Sequence, residues 1–227
     1  MKRIITLSVA LLALILIIGY FRTNATEDEI KFRREHEELN GVVNDNNNTF
    51  STMNLPKRNG ISYATEEDVI DLLQQGTGII YFGFATCPWC RAALPEFFEV
   101  SSEFNQIDLL YLDIRYIRDL RELVNDEIVI REQGSRGYRE ILSILGDKAS
   151  IYRGLNDDNI RRIYAPTFIF VRNGQIVGIH EGTVDSQDDP WTPLTTQQQN
   201  ELREIYRRLF VRINENTSKC PSETNQC

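Results

Sequence analysis

The stretch "IIYFGFATCPWCRAALPEF", residues 79–97, decides the fold that the chain is expected to adopt. Its first part is apolar, rich in β-forming residues and preceded by Gly76 and Gly78, which is typical of a buried strand. Its second part carries two cysteines, Cys87 and Cys90, and continues as a helix. A strand that leads directly into a helix places the first cysteine at the N-terminus of that helix.

The position of Cys87 favours redox chemistry. Unpaired N–H groups and the helix dipole stabilise a thiolate at a helix N-terminus, and the thiolate is the form of cysteine that reacts. Pro88 suits the first turn, because its missing N–H would have no partner there. Cys90 follows one turn further along the same face, from which it can attack a mixed disulfide formed by Cys87. We expect Trp89 at an exposed tip where it can contact partner proteins; simple packing is the alternative for this side chain.

The remainder of the chain predicts an α/β fold. Thr65, followed by "EED", begins a capped helix, and residues 108–114 are a second apolar strand. Residues 166–182 contain two β-rich runs around an Asn-Gly pair, which predicts a hairpin. Residues 202–213 carry an apolar stripe at helical spacing and predict a final helix on the sheet. This order indicates one mixed central sheet that is flanked by helices.

Together these features resemble the thioredoxin-like superfamily. The resemblance rests on the strand, on "CPWC", on a helix that contains Pro95, and on "APTF" before a hairpin, and it covers residues 61–215. It implies a thioredoxin-like fold in which Pro166 is cis and lies against the cysteine pair. It also implies that the backbone of Ala165 pairs with an extended substrate strand. An ordinary proline at the start of a strand is the alternative for Pro166.

Residues 81–97 are also similar to the bacteriocin-transport-accessory group of extracytoplasmic thioredoxin-like proteins from Gram-positive bacteria. That similarity implies a role in forming disulfides in exported peptides. Two features depart from the superfamily pattern. Tyr81 stands where thioredoxin has a buried aspartate, so Glu96 or Asp113 would have to approach from elsewhere in the fold. Residues 116–163 are longer than one crossover helix, which predicts a helical insertion before the cis-proline strand, either shaping the substrate surface or covering the sheet.

The N-terminal residues predict a membrane location. Two basic residues precede an uncharged apolar run over residues 4–21, which as a helix approaches the thickness of the bilayer core. We expect residues 1–22 to be an uncleaved signal anchor of a single-pass protein of the cell membrane. Its N-terminus lies inside and its C-terminal domain is extracytoplasmic, with secretion after signal cleavage as the alternative. Residues 23–60 are predicted to be a flexible extracytoplasmic linker in which His36 is solvated.

A second cysteine pair, Cys220 and Cys227, lies in a polar tail over residues 216–227. We expect this pair to form a small second disulfide, while a redox relay with the first pair stays open. The spacing of the four cysteines is not a usual one for zinc, so no metal is expected. No organic cofactor is expected either, because the dithiol would itself be the redox centre. A net charge of −8 and the lack of a basic stripe argue against a nucleic-acid partner.

The sequence therefore predicts a membrane-anchored extracytoplasmic thiol–disulfide oxidoreductase whose redox centre is the Cys87–Cys90 pair. Its partners would be proteins or peptides with cysteines and a redox partner that recycles the pair. The alternative is a thioredoxin-fold accessory or chaperone module for peptide export or binding, without redox turnover. Whether the protein oxidises, reduces or isomerises its substrates stays open, because the direction depends on the reduction potential of the pair.

Overall fold

The structure, a computed structural model, describes residues 24–215. The predicted signal anchor over residues 1–22 and the second cysteine pair, Cys220 and Cys227, lie outside the described residues. Within the described range, every helix is too short or too polar to cross a membrane.

Helices and strands alternate along most of the described chain. In chain order they are α1 (Glu27–Glu37), β1 (Ile61–Tyr63), α2 (Glu66–Gln75), β2 (Gly78–Gly83), α3 (Pro88–Ser101), β3 (Leu109–Asp113), β4 (Leu120–Val124), β5 (Glu127–Glu132), α4 (Arg136–Leu145), a 3₁₀ turn (Gly146–Lys148), β6 (Ser150–Ile151), β7 (Arg161–Arg162), β8 (Thr167–Arg172), β9 (Gln175–Glu181) and α5 (Thr196–Asn214).

Five of these strands form the central sheet, in the order β1-β3-β2-β8-β9. The first three are parallel to one another, whereas β8 is antiparallel to both β2 and β9. The prediction of a mixed α/β fold with a mixed central sheet is therefore confirmed. Because β2 is central and both of its faces are covered, all six of its residues are buried.

Alternation along β2 divides the core into two layers. Ile79 and Tyr81 pack with the buried side chains of α1, α3 and α5 on one face. Ile80 and Phe82 pack with those of α2 and α4 on the other. The helices thus flank the sheet on both sides, and the cysteine helix α3 lies on the same face as Tyr81.

Residues 24–60 belong to the folded domain, so the prediction of a flexible linker is wrong for these residues. Thr26 caps α1 with a reciprocal capping box. Phe32 is fully buried, and its ring meets the Tyr111 ring edge-on at 4.9 Å. His36, predicted to be solvated, is also fully buried. The charged composition conceals this packing, because only one narrow face of α1, with Glu29, Phe32 and His36, turns inward.

Residues 116–163 do not form the predicted helical insertion. Strands β4 and β5 pair as an antiparallel hairpin, α4 is the one α-helix that the structure gives this segment, and β6 pairs with β7. The turn of the hairpin is Asn125–Asp126, with φ of 51° and 64°, the backbone that a tight two-residue turn requires. The apolar residues of β4, Leu120, Leu123 and Val124, are three and four positions apart, and over so short a segment this spacing also fits one face of a helix.

Candidate redox site at Cys87 and Cys90

Cys87 is the N-cap of α3, as the sequence predicts, and Pro88 occupies the first turn. The N–H of Cys87 donates to the carbonyl of Phe84 at 3.1 Å, which closes the loop between β2 and α3. The N–H of Cys90 donates to Cys87 Sγ at 3.3 Å. Both cysteines are free thiols. The helix N-terminus therefore directs a backbone donor at the sulfur of Cys87.

The Ala165–Pro166 peptide bond is cis, as predicted. The Cys87 thiol donates to the carbonyl of Ala165 at 3.4 Å. The carbonyl of Pro166 accepts a hydrogen bond of 2.8 Å from the N–H of Gly182, just beyond the end of β9. The antiparallel hairpin of β8 and β9 thus holds the cis-proline segment over the N-terminus of α3.

The two thiols have unequal environments. The Cys90 thiol, as a hydrogen-bond donor, lowers the pKa of Cys87; the N–H groups of Cys90 and Trp89 and the charge of Arg118 lower it further, against the effect of burial. Burial raises the pKa of Cys90 well above its usual value, and the adjacent sulfur of Cys87 raises it further. Cys87 is therefore the thiol that ionises, while Cys90, which is fully buried, keeps its proton.

A cleft of about 260 Å³ opens beside the pair. Trp89 and Ala165 form part of its wall, and the loop after β9, from Glu181 to Asp185, forms another part. Trp89 is half-buried rather than fully exposed at a tip, because it also packs against the core on the α3 face. The structure therefore brings the predicted residues Trp89 and Ala165 together beside Cys87, and Pro166 follows Ala165 directly in the chain.

Arginine side chains stacked on aromatic rings flank the site. The guanidinium groups of Arg115 and Arg118 each lie 5.5 Å from the centre of the Phe84 ring. Across the cleft, the guanidinium group of Arg153 lies 4.5 Å from the centre of the Tyr164 ring. These arginines carry no sequence signal of their own, because nothing in their local sequence indicates which of the many arginines come near Cys87.

Neither of the two carboxylates considered from the sequence lies free beside the cysteines. Glu96 is buried in an ion pair with Arg203, and Asp113 pairs with Arg115 at 2.9 Å. Tyr81 is fully buried, and both burial and the neighbouring Cys90 raise its pKa well above the usual value for tyrosine. The polar side chain beside Cys90 is therefore that of Tyr81, with an uncharged hydroxyl where a carboxylate was considered.

Residues 24–215 contain no group of three His, Cys, Asp or Glu side chains arranged to hold a metal ion. No family model matches the chain, and a comparison with curated proteins gives no significant match. Function is therefore inferred from the sequence pattern and from the geometry around Cys87 and Cys90.

Proposed function

We propose that this protein is a thiol–disulfide oxidoreductase of the thioredoxin-like superfamily, with the Cys87–Cys90 dithiol as its redox centre. The observation that carries the proposal is the unequal pair of thiols at the N-terminus of α3, one with a lowered and one with a raised pKa. Such a pair suits two successive thiol–disulfide exchange steps, because the first needs a ready thiolate and the second a protected thiol. The strand order and the cis bond at Pro166 support the superfamily assignment.

In the first step the Cys87 thiolate attacks one sulfur of a substrate disulfide. A bond forms between the Cys87 sulfur and that sulfur, the substrate S–S bond breaks, and the leaving sulfur takes the electron pair and then a proton. In the second step the Cys90 sulfur, after losing its proton, attacks the Cys87 sulfur and releases the remaining substrate thiol. The substrate disulfide gains two electrons and two protons, and the protein dithiol becomes a disulfide; the reverse sequence oxidises a substrate dithiol.

The substrate would lie as an extended segment along Ala165 and Pro166, with Trp89 as an apolar contact on the other side of Cys87. The carbonyl of Ala165 accepts from the Cys87 thiol in this structure, so it is directed at the reacting sulfur. A substrate backbone N–H can replace that thiol as the donor once Cys87 has formed the mixed disulfide. The Arg115 and Arg118 side chains add positive charge to this rim of the site.

We also propose that the domain is extracytoplasmic and that the apolar run over residues 4–21 anchors it to the membrane as a single-pass protein. Protein or peptide substrates with cysteines and a redox partner that restores the pair would then meet the domain outside the cytoplasm. No organic cofactor enters the mechanism, because the dithiol itself carries the two electrons. Cysteine labelling of intact cells with a membrane-impermeant reagent tests the orientation.

The test of the enzymatic proposal is a redox titration of the full chain in detergent, with thiol trapping and mass spectrometry to follow Cys87 and Cys90. The full chain is preferred because α1 packs into the core. We expect a reversible two-electron transition and a mixed disulfide that accumulates on Cys87 in the Cys90→Ser variant. The Cys220→Ser/Cys227→Ser variant is the matched control for the second pair: an unchanged titration would assign redox activity to Cys87 and Cys90 alone.

A pair that does not titrate reversibly would overturn this proposal. The midpoint potential also assigns the direction, since a potential near the strongly oxidising end of the range means disulfide donation, and a low potential means reduction. Each ~30 mV of difference from the surroundings corresponds to ~1.4 kcal/mol for this couple.

A second candidate function is a binding or chaperone module without redox turnover. It is favoured by exposed apolar side chains: Tyr116, whose ring is covered by the Arg115 guanidinium at the flank of the site, is 82% exposed, and Leu120, Val124 and Ile130 on the β4–β5 hairpin are also exposed. Clusters of this kind often mark interaction surfaces. Binding of a cysteine-free peptide that persists in the Cys87→Ser/Cys90→Ser variant would support this function. Loss of all binding in that variant would exclude it.

A further inference from the structure

The hydroxyl of Tyr81 is buried in the centre of the domain without a well-formed hydrogen bond. The side chain is fully buried, and among residues 24–215 nothing forms a hydrogen bond of ordinary geometry with its Oη atom. Buried hydroxyl groups nearly always have a partner, so each exception calls for a physical explanation.

The ring of Tyr81 is held in one orientation by its neighbours. It stacks on the Tyr111 ring, with the ring centres 5.3 Å apart, and on the Phe168 ring, with the ring centres 4.7 Å apart. The Oη atom lies over Gly83, where any Cβ would clash with it. The absence of a side chain at Gly83 therefore provides the space that the hydroxyl occupies.

This space adjoins the sulfur of Cys90. Gly83 directly precedes Phe84, and Tyr81 and Cys90 belong to the same buried cluster. Burial raises the pKa of Cys90 most strongly, whereas hydrogen bonding from the Tyr81 hydroxyl and from the N–H of Phe84 lowers it. Because burial keeps the pKa of Tyr81 high, the hydroxyl keeps its proton and can act as a donor but not as a base.

We propose that Tyr81 donates a hydrogen bond to the sulfur of Cys90 when that sulfur becomes a thiolate, and so stabilises the group that resolves the mixed disulfide. This inference rests on the proposed function. A neutral thiol is a weak acceptor, which explains why the hydroxyl lacks a well-formed hydrogen bond in the reduced protein, whereas a thiolate is a strong acceptor. The interaction is therefore stronger in the reacting state than in the resting state, which is the condition for accelerating a step.

The step balances without a proton transfer from Tyr81. The Cys90 thiol first loses its proton to solvent. Its sulfur then forms a bond with the Cys87 sulfur while the bond from Cys87 to the substrate sulfur breaks. The substrate sulfur leaves with the electron pair and takes a proton from solvent, so the Tyr81 hydroxyl is unchanged at the end.

The test separates the two exchange steps with the aromatic disulfide dithio-bis-nitrobenzoate in the reduced full chain carrying Cys220→Ser and Cys227→Ser, so that Cys87 and Cys90 are the only two of its 4 cysteines that remain. Attack by Cys87 releases one coloured nitrothiolate, and attack by Cys90 on the resulting mixed disulfide releases a second. The variant is Tyr81→Phe, which removes only the hydroxyl and preserves the stacked ring. Tyr206→Phe is the matched control, since Tyr206 is also fully buried with an unpartnered hydroxyl, and only its charge interaction, not a hydrogen bond, links it to Cys90.

We expect the first release to keep its rate in both variants. The second release should slow by ~10-fold or more in Tyr81→Phe, as for the loss of a hydrogen bond to a charged group, and its pH profile should move to higher pH. A merely structural role for Tyr81 would not shift the pH profile of the second step alone.

Equal second-step rates and pH profiles in Tyr81→Phe and Tyr206→Phe would overturn the inference while leaving the proposed function intact. If the Cys220→Ser/Cys227→Ser protein with Tyr81 intact releases only one nitrothiolate, the proposed function itself is overturned, and this inference with it. Thermal unfolding followed by circular dichroism serves as the folding control, and Tyr81→Phe should unfold no earlier than wild type because no formed hydrogen bond is lost.

Discussion

His36 should make the stability of the domain depend on pH in a predictable way. The imidazole is fully buried on α1, with its ring 4.0 Å from the Phe32 ring. Nδ1 lies 2.8 Å from the carbonyl of Phe32 and must carry the proton of that bond, since a carbonyl only accepts. Nε2 has no partner among the described residues, and the Arg91 guanidinium donates to the backbone carbonyl of His36 at 2.7 Å. A second proton on this ring would therefore be buried, unpaired and close to another cation.

The sign and size of the effect follow from the pKa of His36. Burial, with a further contribution from the charge of Arg91, lowers it from 6.5 to about 4. The unfolded chain binds the proton more readily, so the folded state loses stability as the pH falls through the window between those two values. At ~1.36 kcal/mol per pH unit, the loss reaches ~3.4 kcal/mol at the low-pH limit and is ~2.4 kcal/mol between about pH 7 and pH 4.5. That is a large part of the ~5–15 kcal/mol that stabilises a typical domain.

The measurement is urea unfolding of the reduced full chain over this pH range, for wild type and for His36→Gln. Acidic groups titrate in both proteins, so the difference between their two curves isolates the histidine. The variant should be less stable near neutral pH, because the ring packing is lost, and the two curves should converge by ~2 kcal/mol towards about pH 4.5. NMR titration checks the pKa directly, since the chain has 2 histidines and the variant assigns one of them. A stability difference that stays constant with pH would refute the reasoning.

Three further predictions concern the residues around the cysteine helix. Arg91→Met should destabilise the domain by ~3 kcal/mol in urea unfolding, because the buried guanidinium donates to the backbone carbonyl of His36 at the end of α1 and to Asn40 Oδ1 and the Ser51 carbonyl in the segment after it, and all three would lose their donor. Gly83→Ala should cost ~1–3 kcal/mol in the same assay, because the new methyl group would meet the Tyr81 hydroxyl. Arg118→Gln should raise the pKa of Cys87 and slow its alkylation at neutral pH by ~2-fold, since a partly exposed charge contributes only modestly.

The central features could be predicted because their signals are local. A glycine-bounded apolar run that enters a proline-containing helix start is enough to define β2, α3 and the N-cap position of Cys87. The turn at Asn173–Gly174 likewise identifies the β8–β9 hairpin from a few adjacent residues. The cis bond at Pro166 was a different kind of prediction, since it came from the resemblance to a superfamily and not from the residues alone.

The features that were missed depend on contacts between distant segments. The composition of α1 is typical of a charged, exposed helix. Its burial depends on contacts with distant segments: Phe32 packs on Tyr111 of the sheet, and Arg91 of α3 donates to a carbonyl in the loop after α1. No local pattern indicates that an arginine will be buried against carbonyl groups rather than solvated. The β4–β5 hairpin was missed for a different reason: Asn125–Asp126 is a turn signal, but the apolar spacing around it fits a helix nearly as well.

The environment of Tyr81 helps to explain how Cys87 and Cys90, at the start of one helix, can take different roles. A buried hydroxyl that lacks a hydrogen bond costs ~1–3 kcal/mol, and the same ring without the hydroxyl would pack equally well between Tyr111 and Phe168. Burial alone would make Cys90 a poor nucleophile, because it raises the pKa of that thiol. In the proposed exchange reaction, a donor that acts only on the thiolate would offset this penalty when Cys90 reacts, without making it reactive in the resting protein. The cost in stability and the gain in the second exchange step therefore have the same physical origin, so Tyr81→Phe should stabilise the fold and slow resolution together.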